Sequence, residues 1–296
     1  MILKDILSIY HKELDDLFGN EEVDSFFNIL IEYYLDLKRI HLVLEPQYVI
    51  TKEEEQPLFG ALAQLKLQKP LQYIIGETEF YGLPFKVNEH TLIPRPETEE
   101  LVEWIISNQS EVQTELSQSA SEESDYKILD IGTGSGCISI SLAKHIETAK
   151  VYALDVSEDA LKIAKLNAEL NKVNIKFLEQ NILTACHSAL DVESKFDVIV
   201  SNPPYVRNLE KAEIQSNVLD NEPHLALFVD DDNPLQFYKT ICEFSQINLK
   251  NNGVLFFEIN EYLGKEMIAL LEGFGFKDVE LKKDVFGKDR MIKAIN

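Results

Sequence analysis

From Tyr126 onward the chain alternates short apolar runs with helical stretches, and this alternation restricts the fold more than any other feature of the sequence. The runs are Lys127–Leu129, Val151–Leu154, Ile175–Leu178, Phe196–Val200 and Val254–Ile259. Helix-forming segments such as Ala160–Leu170 and Pro234–Leu249 lie between them. Such spacing predicts βαβ units and a mostly parallel α/β sheet. Two further strands, near Val279–Leu281 and Met291–Ala294, are close enough in sequence to form an antiparallel pair.

The first 70 residues differ. Leu3, Ile6, Leu7, Tyr10, Leu14 and Leu17 recur at helical spacing, and Phe26, Phe27, Leu30, Ile31 and Tyr34 repeat the pattern. Thr51 with Glu54 fits a capping box ahead of Leu58, Leu62 and Leu65. Residues 1–70 therefore read as a small helical bundle whose stripes form a core. Residues 71–93, with β-branched and aromatic side chains punctuated by Gly76, Gly82 and Pro84, read as a β-hairpin linker. The α/β part is then 94–296, opening on a helix whose first turn holds Pro96, Glu97, Glu99 and Glu100. The polar stretch 108–125 reads as a solvated loop or a frayed helix end. A length of 296 residues fits about two domains.

Charge counts against one class of partner. Lys plus Arg number 28 against 51 Asp plus Glu, a net charge of −23. Polyanion binding needs clustered cations, so a nucleic-acid partner is not expected. The three cysteines, Cys137, Cys186 and Cys242, make no disulfide framework, and no zinc-type spacing joins them to the six histidines. No metal is expected. Acidic residues arrive too early for a signal peptide, and no apolar run is long enough to span a membrane. The expected location is cytoplasmic.

Three segments carry chemistry. The first is Gly132-Thr133-Gly134-Ser135-Gly136, following Asp130-Ile131 and preceding a helix. Alternate glycines let the backbone turn sharply and approach a ligand, with N–H groups aimed at it. A plain strand–helix turn is the simpler alternative. Cys137 stands where a nicotinamide fingerprint has its last glycine, which argues against a dinucleotide. The second is Asp155, about 20 residues on, where a carboxylate can accept both ribose hydroxyls or cap the next helix. The third is Asn202-Pro203-Pro204-Tyr205, at the end of an apolar strand. Two prolines stiffen this loop and leave carbonyls without competing N–H groups. Asn202 offers an acceptor and Tyr205 an aromatic face, so the loop suits a planar amino group.

This quartet resembles the signature of the S-adenosylmethionine enzymes that methylate planar nitrogens. Other segments narrow the likeness: Leu92-Ile93-Pro94-Arg95-Pro96-Glu97-Thr98-Glu99, Glu222-Pro223 with Ala226-Leu227, Pro234-Leu235 with Tyr238, and Gly287-Lys288-Asp289-Arg290-Met291. Together they resemble the release-factor glutamine methyltransferases of the HemK/PrmC family, from about Leu71 to the C-terminus. The resemblance implies a class I methyltransferase (Rossmann-like) sheet beside a helical substrate-recognition domain and a β-hairpin. It implies S-adenosyl-L-methionine bound by Gly132, Thr133, Gly134, Ser135, Gly136 and Asp155. It implies the glutamine amide of the Gly-Gly-Gln tripeptide of class 1 release factors held by Asn202, Pro203, Pro204 and Tyr205, with Asn202 also beside the cofactor. Where the family carries an acidic residue and Trp for adenine, this chain has Asn181-Ile182, a carbonyl oxygen and an aliphatic cover. The segment 222–230 lacks the family's glycines, a departure expected to touch a surface loop more than chemistry. Arg95 and Glu97 are candidates for shaping the substrate entrance, or for an interdomain ion pair. No Cys, His or Lys is placed as a nucleophile, so direct methyl transfer is expected. A DNA or RNA base amino-methyltransferase is the alternative reading.

Overall fold

The computed structural model describes residues 1–116, 126–185 and 195–296. Cys186 and the sequence expectation for 117–125 lie outside them. The chain divides into two compact units, one of Met1–Gly76 with Gln215–Asn221, the other of Glu77–Ile214 with Glu222–Asn296.

The first unit is helical: α1 (Leu3–Phe18), α2 (Asn20–Leu35), α3 (His41–Leu44), α4 (Lys52–Leu65) and α5 (Leu71–Ile75). Its core takes Leu3, Ile6, Tyr10 and Leu14 from α1, and Phe27, Leu30 and Ile31 from α2, facing Leu58, Leu62 and Leu65 of α4. Of the α1 stripe only Leu17 escapes, at 48% exposure. The capping box of α4 forms, since the Glu54 N–H donates to Thr51 Oγ1 and the Thr51 N–H to Glu54 Oε2. The strand character expected from Leu71 is absent before Glu77. Pro70 instead opens α5 and left-handed Gly76 ends it, with Leu71 drawn into the helical core. The unit also holds residues distant in sequence. Ser216 Oγ donates to Gln68 Oε1 (2.7 Å) and Asn221 Nδ2 to the Gln68 carbonyl (3.2 Å).

The second unit opens with a hairpin, β1 (Glu77–Phe80) and β2 (Leu83–Lys86). Both residues of its turn, Tyr81 and Gly82, have positive φ (51° and 71°), as tight two-residue hairpins require. Then come α6 (Pro96–Leu116), β3 (Tyr126–Ile131), α7 (Cys137–His145), β4 (Ala149–Asp155), α8 (Glu158–Asn171), β5 (Ile175–Glu179), α9 (Ile182–Ala185) and β6 (Phe196–Ser201). After β6 the chain makes β7 (Val206–Arg207), a 3-10 turn, α10 (Ser216–Asn221, part of the helical unit), α11 (His224–Leu227) and β8 (Phe228–Val229). It ends with α12 (Gln236–Asn248), β9 (Leu249–Glu258), α13 (Gly264–Gly273), β10 (Lys277–Lys283) and β11 (Asp289–Ile295).

Seven strands form one sheet in the order β10-β11-β9-β6-β3-β4-β5. The five from β9 to β5 are parallel, and β11 and β10 add an antiparallel edge, as the sequence predicted. Side chains alternate across the sheet. Ile128, Val198 and Phe256 face a cluster with Trp104 of α6 and Ile140 of α7, while Leu129, Ile199 and Phe257 face Ile241 of α12 and Met267 of α13. Both faces are covered, which is why the strands read as continuous apolar runs. The fold is a Rossmann-like, mostly parallel sheet of the kind expected from the sequence. Among the described residues no helix is long and apolar enough to cross a membrane.

Strand order fixes where a ligand goes. The chain moves from β3 outward to β5, then returns to place β6 on the other side of β3. Crevices form at the carboxyl ends of strands around such a reversal. The register pairs Ile131 with both Leu154 and Ser201, so the next residues, Gly132, Asp155 and Asn202, emerge side by side.

Candidate active site

These three strand ends open into one cleft, with about 1290 Å³ of space when its mouth is included. Gly132, Thr133, Gly134, Ser135, Asp155, Asn181, Ile182, Asn202, Pro203 and Pro204 all line it. Tertiary structure thus assembles most of the sequence-predicted set in one place.

The glycine loop is bent by two N–H groups, of Gly132 (2.8 Å) and Thr133 (3.0 Å), that donate to the Leu154 carbonyl. Gly136 does not line the cleft; it lets α7 approach α8. Its φ is +83°, and a Cβ there would lie 2.8 Å from Ile140 Cδ1 and 3.2 Å from Ala164 Cβ. Asn167 of α8 holds the loop's outer side. It is fully buried, and its Nδ2 donates to the Ser135 carbonyl (2.8 Å) and the Lys86 carbonyl (2.9 Å), while its Oδ1 accepts the Lys86 N–H (2.6 Å). The hairpin and the glycine loop are therefore braced by one amide. Sequence reasoning missed it, since a polar residue inside a helical stretch carries no local signal.

Asp155 is 9% exposed. Its Oδ2 accepts the Gly134 N–H (2.8 Å) and its Oδ1 the Ser157 N–H (2.9 Å). Burial raises its pKa, against the pull of these N–H groups. The helix-cap alternative falls to its neighbour, because Ser157 Oγ caps α8 by accepting the Ala160 N–H. Each carboxylate oxygen has two lone pairs, so both retain one for a ribose hydroxyl.

Asp130, near the end of β3, stands two residues before the glycine loop. It is fully buried, and burial pushes its pKa up to about 6 against hydrogen bonds from Thr133 and Ser139. Its Oδ2 accepts Thr133 Oγ1–H (2.6 Å) and the Ser139 N–H (3.2 Å). Its Oδ1 is buried without a partner among the described residues. An acidic residue closing an apolar strand was the signal available.

Of the pair expected to border adenine, Ile182 is buried and Asn181 is exposed. Asn181 Oδ1 accepts the Leu183 N–H (3.0 Å) and starts α9, so one lone pair of that carbonyl is already used.

Besides Gly136, two placements depart from the sequence expectation. Tyr205 does not line the cleft. Its hydroxyl turns away and donates to Glu258 Oε1 (2.9 Å), and Asn260 Nδ2 donates to its carbonyl (3.1 Å), so its ring anchors the loop instead of covering a ligand. Burial and the facing Glu258 carboxylate hold the Tyr205 hydroxyl protonated far above its usual range. The segment after Glu222 is likewise no mere surface loop. Pro223, Leu225 and Ala226 line the cleft, and the Glu222 carboxylate, 1% exposed, takes Arg95 Nη2 at 2.6 Å. That ion pair lies within the second unit, and Arg95 lines the cleft while Glu97 sits in a separate pocket beside Glu99, Glu100 and Glu103. Among the described residues no His, Cys, Asp or Glu cluster could hold a metal ion.

A glycine loop that lets backbone approach closely, a buried carboxylate with free lone pairs and an apolar wall fit a nucleoside carrying an amino-acid tail. Comparisons with known proteins agree. A family model described as the PrmC N-terminal domain matches residues 6–76, and one described as the methyltransferase small domain matches 113–226. A release factor glutamine methyltransferase of Flavobacterium psychrophilum is 54% identical over 294 residues, 99% of each chain. One of Bacteroides thetaiotaomicron is 39% identical over 289 residues, 98% of each chain. The hMettl16 catalytic domain, solved in complex with MAT2A 3'UTR hairpin 1, has a TM-score of 0.53 at 17% identity, covering 81% of this chain and 82% of that one. This last likeness is one of fold.

Proposed function

The chain belongs to the release factor glutamine methyltransferases, and from that premise we propose how its own residues carry out the reaction. It methylates the side-chain amide nitrogen (N5) of the glutamine in the Gly-Gly-Gln motif of class 1 release factors. S-adenosyl-L-methionine, when bound, supplies an electrophilic sulfonium methyl. Gly132 to Ser135 cradle the amino-acid end, Asp155 takes the ribose hydroxyls, and Asn181 with Ile182 borders the adenine.

An amide nitrogen is a poor nucleophile because its lone pair is delocalised. Asn202 Oδ1 and the Pro203 carbonyl accept the two protons of the substrate –NH2. They raise electron density on nitrogen as positive charge develops. Proline-fixed backbone keeps both acceptors in place before substrate arrives. Alignment of the nitrogen with the methyl contributes several kcal/mol, with about 7–11 as the upper range. The proton leaves to water after transfer. Tyr205 contributes by anchoring the loop.

The observation that carries this reading is the juxtaposition of Gly132, Asp155 and Asn202 at adjoining strand ends in one cleft. Labelled methyl transfer to purified release factor, beside duplex DNA and RNA, is the test. Label should enter release factor and not nucleic acid, consistent with the net charge of −23. Label in nucleic acid alone would give the base-methyltransferase reading.

Residues 1–70 are assigned to substrate recognition, 71–93 to linkage and 94–296 to methyl transfer, in the cytoplasm. Val43 and Leu44, each 70% exposed, give the helical part an apolar surface suited to docking a protein. Changing both to Asp should raise KM for release factor about tenfold. The melting temperature should stay unchanged. An unaltered KM would remove this surface from recognition.

A further inference from the structure

Glu258 is 1% exposed at the end of β9, and the mechanism above does not use it. Its two oxygens are taken by two hydroxyls. Tyr205 donates to Oε1 (2.9 Å) and Thr98, in the first turn of α6, donates to Oε2 (2.6 Å). Thr98 is itself 2% exposed, and its Oγ1 also meets Asn202 Nδ2 at 3.3 Å.

A threonine hydroxyl has one proton to give. Giving it to a carboxylate makes a charge-assisted bond, whereas withholding it leaves a buried carboxylate oxygen without a donor. The proton therefore goes to Glu258, and Thr98 Oγ1 can act toward Asn202 only as an acceptor. That fixes the Asn202 amide with its –NH2 toward Thr98 and its Oδ1 turned away. The opposite flip would set the Asn202 –NH2 against the substrate –NH2, two donors with no acceptor between them.

We propose that Thr98 and Glu258 are positioning residues that set the Asn202 amide orientation, and so select a substrate that donates an –NH2 group. The same carboxylate pins Tyr205, so both ends of the Asn-Pro-Pro-Tyr turn are held by one buried group. This rests on the reading that Asn202 grips the substrate amide.

The test uses the full chain with Thr98→Val, which keeps the shape and removes the hydroxyl, and Thr98→Ser, which restores it. Single-turnover methyl transfer at saturating cofactor and release factor should fall about 10- to 100-fold in Thr98→Val, as for a misplaced reacting group. Thr98→Ser should stay within about threefold of wild type. Affinity for S-adenosylhomocysteine and KM for release factor should be unchanged in both. In an Asn202→Ala background, Thr98→Val should cause no further loss, because nothing is left for it to orient. A full, additive loss in that background would mark a merely structural role and overturn the proposal. So would wild-type rates in Thr98→Val, or a Thr98→Ser variant as slow as Thr98→Val. If Thr98→Val fails to fold, Thr98→Ala removes the same hydroxyl, and wild-type rates there overturn the proposal. Should Asn202→Ala itself retain wild-type activity, the reading of the site falls first, and is told apart in this way.

Discussion

Replacing Asn202 with alanine is expected to slow methyl transfer by about 100- to 1,000-fold, equivalent to about 3–4 kcal/mol, the range for loss of one preorganised polar contact at a reacting centre. The substitution removes the acceptor for one substrate proton and leaves the Pro203-Pro204 backbone in place. Asn202 is half-buried, and among the described residues its side chain bonds only Thr98, at 3.3 Å. Stability should therefore change little. The decisive measurement is the single-turnover rate on release factor with cofactor saturating. A rate within about threefold of wild type would remove Asn202 from the chemistry.

Asp155→Ala should act on a different step. Its carboxylate faces the cleft from the end of β4, and the interaction proposed for it is a pair of charge-assisted bonds to ribose. Such bonds contribute about 1.5–3 kcal/mol, so affinity for S-adenosylhomocysteine should fall roughly 10- to 150-fold. The N–H groups of Gly134 and Ser157 would lose their acceptor as well, and both can turn to water in an open cleft. At saturating cofactor the methyl-transfer rate constant should stay within about threefold, because no reacting atom touches Asp155. Calorimetric titration reads the effect. An unchanged dissociation constant would confine Asp155 to holding the two N–H groups.

The two variants separate grip from cofactor binding, and the sequence had marked both residues by their local setting. Each follows an apolar strand, and each sits where a loop begins. The glycine loop was legible for the same reason: positive φ at Gly132, Gly134 and Gly136 is a local demand that glycine meets most readily. The capping box at Thr51 and the closing strand pair were likewise matters of a few neighbouring residues. The short helix at Leu71–Ile75 was misread because Leu, Tyr and Ile suit either element there, and docking into the helical core decided between them.

Sequence alone determined the alternating α/β pattern, the helical N-terminal part, the glycine loop, Asp155 and the Asn-Pro-Pro-Tyr turn, all of which are set by period, turn chemistry and near neighbours. Tertiary structure decided which distant groups meet. Thr98 reaches Glu258 across 160 residues, Arg95 reaches Glu222 across 127, and Asn167 reaches Lys86 across 81. It also turned Tyr205 from the ligand toward Glu258, and joined Gln215–Asn221 to the helical unit. The physical reason is that packing of helices and loops on the sheet brings these partners together, whereas hydrophobic period records only which face a residue takes and not what lies opposite.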